Sequence, residues 1–215
     1  MRKGFSILAR NILAPFIEKF FIEKIEGRCN LLQDKNFIIA ANHQSYFDHF
    51  FIALPFKNQF ENLHFIGKME TIFHPILFGP LYFFSQTLTV NRKSKNKRMV
   101  LKEAIRYLKQ GKIIVIYPEG GTNRTKILKR GKTGVAELAI KTGVPIIPVG
   151  VSNKNNFKKI VRIGNPLYLS DMLKEDEISV LSEKTYERIL RKITDKVLRA
   201  ISPLCDKEYP YPNLK

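Results

Sequence analysis

The sequence lacks several features that mark particular classes of protein. It contains no tryptophan and only two cysteines, Cys29 and Cys205, which fall outside any CxxC spacing. Two such cysteines do not make a disulfide framework, and their spacing argues against a zinc or dithiol redox site. We therefore expect both side chains to be reduced thiols.

Uninterrupted apolar runs of membrane-spanning length are also absent. The first candidate, residues 5–25, is broken by charges and by Pro15, so it is too interrupted to cross a bilayer. It has no small-residue cleavage site of the kind that ends a signal peptide, which favours the cytoplasmic side. Its apolar residues recur at helical spacing beside basic residues, as in a helix lying in a membrane interface. A helix that packs on its own domain has the same pattern.

Acidic residues are scarce in a chain rich in basic ones. The 19 Asp and Glu residues stand against 37 Lys and Arg, which gives a net charge of +18. This excess attracts polyanions, so the candidate partners are nucleic acid, an anionic membrane surface and small phosphorylated substrates. Basic clusters near residues 92–98 and 124–132 suit a nucleic-acid-binding protein, but no RRM, KH or zinc-finger signature accompanies them.

Apolar runs and helical patterns alternate through the middle of the chain. This alternation predicts an α/β fold with a mostly parallel central sheet and flanking helices. The separate amphipathic pattern before it predicts an N-terminal amphipathic helical segment, which we expect to bind a membrane. We expect the interfacial helix in residues 1–26, the α/β domain in 27–170, and a C-terminal helix and tail of the same domain in 171–215. The predicted strands are 37–41, 63–66, 113–117, 146–151 and 160–163, and the predicted helices are 96–109, 133–141 and 177–201.

Residues 71–91 contain no formally charged side chain, although 26% of the whole chain is charged. The stretch is rich in phenylalanine but also contains Pro75, Gly79 and Pro80, which argue against a straight spanning helix. A hydrophobic surface or acyl-chain channel and an ordinary buried core segment both fit this composition.

A histidine and an aspartate follow the first predicted strand. His43 and Asp48 are five positions apart, so a short turn can bring the carboxylate to one nitrogen of the imidazole. A carboxylate in that position fixes the tautomer of the ring and stabilises the imidazolium, which makes the histidine a better general base. Structural capping by Asn42 or Ser45 is the alternative, and the spacing of nearby histidines matches no familiar zinc pattern.

A second polar motif, residues 117–124, also follows a predicted strand. Gly120 and Gly121 allow close backbone approach, so exposed N–H groups can cradle a phosphate or an oxyanion. Glu119 can accept a hydrogen bond from a substrate hydroxyl, and Arg124 adds positive charge. Arg92, after residues 88–91, is a third candidate because a guanidinium binds phosphate bidentately. A glycine turn with a solvated basic loop is the alternative.

Taken in order, these motifs resemble the blocks of the glycerolipid acyltransferases, the family of bacterial 1-acyl-sn-glycerol-3-phosphate acyltransferases. Asn42, His43 and Asp48 match Asn-His-x4-Asp, residues 88–92 match an apolar stretch ending in arginine, and residues 117–121 match Phe-Pro-Glu-Gly-Thr. Residues 144–149 resemble the block with an internal proline, and residues 65–68 resemble a strand followed by lysine. The resemblance covers about residues 36–151. Gly121 departs from the family's usual threonine, in the block whose residues contact the acceptor.

The resemblance implies a transfer of a fatty acyl group from acyl-CoA or acyl carrier protein to 1-acylglycerol-3-phosphate, forming phosphatidic acid. It implies that His43 is the base, that Asp48 orients it, and that Pro148 belongs to the acyl-donor region. It places Lys68, Arg92, Glu119, Gly120, Gly121 and Arg124 around the acceptor. Glycerol-3-phosphate or another lysolipid is the alternative acceptor.

The resemblance also sets the expected partners and location. We expect no metal and no cofactor other than the acyl donor, and we expect membrane lipids rather than nucleic acid as partners. A membrane-bound anionic substrate accounts for both the positive charge and the amphipathic start of the chain. The expected location is therefore peripheral or monotopic, on the cytoplasmic face of the cell membrane.

Overall fold

A seven-stranded sheet forms the centre of the part of the chain that the computed structural model describes: residues 9–32, 36–68, 88–90, 97–153, 157–171 and 182–212. The strand order is β1-β7-β6-β2-β5-β3-β4, and every neighbouring pair is parallel except β6 and β7. The strands are β1 (Ile22–Glu26), β2 (Ile38–Ala41), β3 (Leu63–Lys68), β4 (Leu88–Val90), β5 (Ile113–Ile116), β6 (Ile146–Asn153) and β7 (Lys159–Ile163).

Helices cover both faces of this sheet, as a parallel sheet requires. One face packs against α3 (Lys97–Lys109), α4 (Gly134–Thr142) and α5 (Glu183–Leu204). The other face packs against α1 (Ala14–Phe21), α2 (Asp48–Ala53) and the 3₁₀ segment Leu54–Asn62. Because both faces are covered, every residue of β2 and β5 is buried, which explains why these strands have continuous apolar sequences.

The N-terminal segment is helical only as far as Phe21. A π-helical turn, Ala9–Leu13, precedes α1, and Pro15 lies in the first turn of α1, where its missing N–H costs no hydrogen bond. The sequence predicted an interruption at this proline, and the change from π-helix to α-helix occurs there. Residues 22–26, which the sequence grouped with the interfacial helix, instead form β1 at the edge of the sheet.

The sequence did not predict α2, the 3₁₀ segment Leu54–Asn62 or β4, whereas the remaining elements follow the sequence pattern with a few differences at their ends. The C-terminal helix α5 begins at Glu183, where the Ser182 side chain accepts a hydrogen bond from the Thr185 N–H, and residues 177–181 of the predicted helix lie outside the described residues. The charge-free stretch 71–91 is described only at its strand β4. Within the described residues, no helix is long and apolar enough to cross a bilayer.

Candidate active site

The two polar motifs meet at one edge of the sheet. His43 follows β2, and Glu119 follows β5, which pairs with β2 in parallel. Parallel strands end at the same edge, and ligands of α/β proteins bind in the crevice at that edge. The Asn123 N–H donates to the His43 carbonyl at 2.6 Å, so the two loops are in direct contact.

His43 and Asp48 form a buried pair at this edge. The Nδ1 atom of His43 lies 3.1 Å from Asp48 Oδ2, and only 8% of His43 and 1% of Asp48 are exposed. A carboxylate accepts a hydrogen bond, so Asp48 holds the imidazole with its proton on Nδ1. The other nitrogen, Nε2, is then the one that can take a proton from a substrate.

Asp48 also holds the backbone of the loop that joins His43 to α2. Its Oδ2 atom accepts hydrogen bonds from the Gln44 N–H at 2.5 Å and the Ser45 N–H at 2.8 Å. Such charge-assisted bonds are roughly twice as strong as neutral ones. The carboxylate therefore fixes both the imidazole ring and the loop that carries it.

Asn42 anchors the end of β2 on the opposite side. Its side-chain amide donates to the Val151 carbonyl at 2.9 Å, and its side-chain oxygen accepts from the Val151 N–H at 2.8 Å. The Gln44 side chain donates to the same carbonyl at 2.8 Å. These bonds hold the His43 loop against β6. Asn42 is buried, so leaving its polar atoms without these partners would destabilise the fold.

Aromatic rings confine the imidazole of His43. The Tyr117 ring stacks on it with centroids 4.2 Å apart, and the His49 ring meets it edge-on at 5.7 Å. Burial, reinforced by the proximity of His43, lowers the pKa of His49 to about 4, so His49 is neutral at pH 7. A neutral neighbour does not compete for the Asp48 carboxylate and does not repel an imidazolium at His43.

The loop after β5 is shaped by Gly120 and Glu119. Gly120 has φ +70°, so a larger residue would strain the backbone there, and its Cβ atom would also displace the end of the Lys132 side chain, 2.6 Å away at Cε. Glu119 is buried, and its Oε2 accepts from Asn123 Nδ2 at 2.5 Å and from the Lys129 N–H at 3.0 Å. Its Oε1 atom has no hydrogen-bond partner among the described residues.

The structure brings together most of the residues that the sequence singled out. Gly121 and Arg124 lie in the same loop as Glu119, and Arg124 Nε is 3.5 Å from the Gln44 carbonyl oxygen. Pro148 is different, because it is a buried residue of β6 paired with Ala40 inside the sheet rather than at its edge. Lys68 ends β3, but its side chain lies outside the described part of the chain, as does all of Arg92.

Two residues with roles in this geometry were not selected from the sequence. Asn123 connects the two loops, and Lys207, from the C-terminal tail, donates to the Asn123 carbonyl at 2.6 Å. Polar residues after a glycine turn gave a weak signal for Asn123, whereas nothing in the local sequence marks Lys207. Within the described residues, no group of three histidine, cysteine or acidic side chains is placed to hold a metal ion.

Sequence comparisons relate most of the chain to one family of proteins. The model of the family described as Acyltransferase matches residues 23–152. The chain is 32% identical over 146 residues to 1-acyl-sn-glycerol-3-phosphate acyltransferase of Salmonella typhimurium, which is 67% of this chain and 58% of that relative. The enzyme of the same name from Borreliella burgdorferi is 29% identical over 189 residues, covering 84% of this chain and 72% of the relative.

A solved structure is similar over nearly the whole chain. It is the crystal structure of the 1-acyl-sn-glycerophosphate (LPA) acyltransferase, PlsC, from Thermotoga maritima, with a TM-score of 0.60 and 27% sequence identity. The match covers 94% of this chain and 88% of that one. By contrast, the chain spans 58% of the length of the Salmonella and Escherichia coli relatives.

Proposed function

The chain belongs to the acyltransferase family, and we propose that it is an O-acyltransferase acting on 1-acylglycerol-3-phosphate. The product would be phosphatidic acid, formed with a fatty acyl group from a thioester donor. The observation that carries the proposal is the buried His43–Asp48 pair, whose geometry leaves Nε2 of the imidazole to accept a proton. Its relatives are named 1-acyl-sn-glycerol-3-phosphate acyltransferases, which supports this acceptor.

The proposed mechanism uses His43 first as a base and then as an acid. Its Nε2 removes the proton from the free hydroxyl of the lysolipid, and the hydroxyl oxygen attacks the thioester carbonyl. The tetrahedral intermediate collapses with loss of the thiolate, which takes the proton back from the imidazolium. Asp48 stabilises that imidazolium through Nδ1, and because the substrate supplies the hydroxyl, no acyl-enzyme forms.

The loop after β5 is the proposed acceptor site. Glu119 Oε1, which has no partner among the described residues, would accept a hydrogen bond from the glycerol part of the acceptor. The backbone at Gly120 and Gly121 and the guanidinium of Arg124 would lie along the phosphate. Lys68 and Arg92 remain proposed phosphate ligands. Since Gly121 replaces the usual threonine, glycerol-3-phosphate or another lysolipid is the second candidate acceptor.

The donor would be acyl-CoA or acyl carrier protein. Pro148 is buried in β6 beside β2, so any effect on the donor would come from shaping the sheet behind the site rather than from direct contact. No metal or additional cofactor enters the proposed reaction, because the imidazole of His43 carries out both proton transfers and Asp48 stabilises the imidazolium.

Membrane attachment through α1 would bring the site to its lipid substrate. The exposed fractions of Phe16 and Phe20 in this helix are 55% and 53%. Their rings give the helix a large exposed apolar surface close to basic residues. It leads into β1, whose first residue pairs with Lys159, and Lys159 in turn pairs with Asn153 at the end of β6. The C-terminus of the helix therefore lies at the end of the sheet where β2 and β6 finish, which is also the end where His43 lies. We propose that this face contacts the cytoplasmic leaflet.

Loss of the His43 base is the direct test of the proposed activity. Purified protein is incubated with lysophosphatidate and acyl-CoA in one assay, and with lysophosphatidate and acylated acyl carrier protein in another. The phosphatidate formed is measured in both. We expect His43→Ala to lower kcat by about 10²–10⁴-fold, because a positioned general base contributes that much. Asp48→Asn should act through the same step, since an amide at this position favours the wrong tautomer of His43.

Folding controls make this result interpretable. Circular dichroism should match the wild type for both variants, and both should unfold cooperatively. Asp48→Asn should unfold at a lower temperature, because a neutral amide accepts more weakly from the Gln44 and Ser45 N–H groups. A folded His43→Ala protein that retained near-normal turnover would contradict the role of His43. Absence of phosphatidate with either donor, but product with glycerol-3-phosphate, would favour the second acceptor.

A further inference from the structure

The C-terminal tail, residues 205–212, contacts the loop that follows β5, residues 119–130, which is called the active-site loop below. The tail lies outside the stretch that matches the family model. The Glu208 N–H donates to the Lys126 carbonyl at 2.9 Å, and the Leu128 N–H donates to the Glu208 carbonyl at 2.8 Å. Between these bonds, Ile127 and Glu208 form a short parallel bridge. The tail thus pairs with the far end of the loop that begins at Glu119.

Lys207 extends this attachment into the interior of the loop. Its ammonium donates to the Asn123 carbonyl at 2.6 Å, and only 9% of the residue is exposed. Burial lowers the pKa of Lys207, while the negative charges of Glu119 and Asp48 act in the opposite direction. A buried ammonium loses hydration, so it is retained where its hydrogen bond and charge partners compensate for that loss.

Asn123 passes this attachment on to both groups of the proposed site. Its N–H donates to the His43 carbonyl at 2.6 Å, and its side-chain amide donates to Glu119 Oε2 at 2.5 Å. The same amide donates to the Ile127 carbonyl at 2.8 Å, which closes the turn. Asn123 therefore fixes the loop that carries His43 relative to the carboxylate of Glu119.

We propose that Lys207 and Asn123 form a positioning pair that sets the distance between His43 and Glu119. Neither residue takes part in a chemical step. The pair acts by preventing the loop 119–130 from moving away from the end of β2. The need for it follows from Gly121, since a glycine in the turn allows more backbone conformations than threonine does. This inference rests on the proposed acyl transfer only where activity is the readout.

Kinetic measurements on Lys207→Met and Lys207→Arg test the positioning role. Methionine keeps most of the volume but removes the donor, whereas arginine restores a cation that can reach the carbonyl. We expect Lys207→Met to lower kcat/KM for lysophosphatidate on the order of ten- to a hundredfold, because a small misplacement of reacting groups has that effect. The KM for the acyl donor should stay unchanged, and Lys207→Arg should recover most of the activity.

Arg199→Met, a substitution in helix α5, is the matched control for a contact with the same tail. Arg199 also donates to a backbone carbonyl, that of Tyr211, but this bond does not reach the active-site loop. A general loss of tail structure would affect both variants equally. Equal losses of kcat/KM in Lys207→Met and Arg199→Met, or a change in the donor KM alone, would overturn the proposal.

Hydrogen–deuterium exchange separates this inference from the proposed function, because it needs no substrate. Peptides covering residues 119–130 should exchange faster in Lys207→Met than in the wild type, while Arg199→Met leaves them unchanged. If Lys207→Met does not fold, Asn123→Ala, which removes the link to Glu119, should produce the same local increase. Unchanged exchange in these peptides would overturn the positioning role. If the wild type transfers no acyl group but the exchange differs as expected, the proposed function fails and the pair stands.

Discussion

At the scale of single residues, the neighbours of His43 matter as much as His43 itself. His49 is 8% exposed, and its ring lies 4.9 Å from Phe65 and 5.2 Å from Tyr117, measured between centroids. Its low pKa follows mainly from this burial. The residue therefore serves as an aromatic wall of the site at neutral pH, although its side chain could ionise in the unfolded chain.

His49 should make the stability of the protein depend on pH. Its pKa is about 4 in the folded protein against 6.5 in an unfolded chain. Between these values the unfolded state binds a proton that the folded state does not, so stability falls as pH decreases from 6.5 toward 4. We expect His49→Phe to remove about 2 kcal/mol of the loss in unfolding free energy between pH 7 and pH 5.

Urea unfolding at the two pH values measures this difference directly. Comparison of wild type and His49→Phe cancels the contributions of other titrating groups, since both proteins share them. An equal fall in unfolding free energy for the two proteins would contradict the low pKa of His49. If the unfolding free energy of His49→Phe were lower than that of the wild type by the same amount at both pH values, the difference would reflect altered packing alone.

At the scale of secondary structure elements, α1 carries the proposed contact with lipid. The helix exposes its phenylalanines, whereas Ala14 is buried against the sheet. The following strand β1 is part of the sheet, and its first residue, Ile22, is 6% exposed. A deletion that extends to residue 26 would therefore remove an edge strand together with the helix, and point substitutions are the cleaner probe.

Replacement of both exposed phenylalanines should weaken membrane binding. Burial of each half-exposed ring in lipid would contribute about 1–1.5 kcal/mol to binding, so Phe16→Ser with Phe20→Ser should lower partitioning into vesicles about 30–150-fold. Vesicle sedimentation measures the change. Tyr168→Ser is the control, because Tyr168 is 42% exposed and follows Leu167, which pairs with Ile146 at the opposite edge of the sheet. Equal partitioning of the double variant and wild type would exclude this role for α1.

At the scale of the whole molecule, the net charge of +18 sets the long-range attraction to an anionic surface. Basic residues near such a surface contribute about 1 kcal/mol each, and this attraction is screened within about 10 Å at 0.1 M salt and about 3 Å at 1 M. The charge would therefore concentrate the protein near anionic lipid, while α1 would provide the proposed apolar contact.

Partitioning into anionic vesicles should therefore fall as salt is raised from about 0.1 M to 1 M. Partitioning into neutral vesicles should be weaker and nearly independent of salt, since only the apolar contact remains. Retention of the same protein on double-stranded DNA is measured in parallel. Strong retention on DNA at moderate salt, with no binding to anionic vesicles, would favour the basic nucleic-acid-binding alternative.

The inner strands could be predicted from the sequence more easily than the outer ones. β2, β5 and β6 are buried on both faces, so their continuous apolar sequences located them to within a few residues. β1 is an edge strand with charged and partly exposed residues, and its sequence looked like the end of a helix. The short helix α2 was missed because its six residues carry too little helical periodicity.

The sequence alone determined the chemistry available to this protein: the order of four motifs, a histidine five positions before an aspartate, and a large positive charge. These are properties of the amino-acid sequence itself, so they are the same whatever the arrangement of the chain in space. Only the tertiary structure decided that Asn123 joins His43 to Glu119 and that Lys207 reaches that joint across 84 positions of sequence. Such contacts depend on which strand ends share an edge and on where the tail returns, and these are set by packing rather than by local sequence.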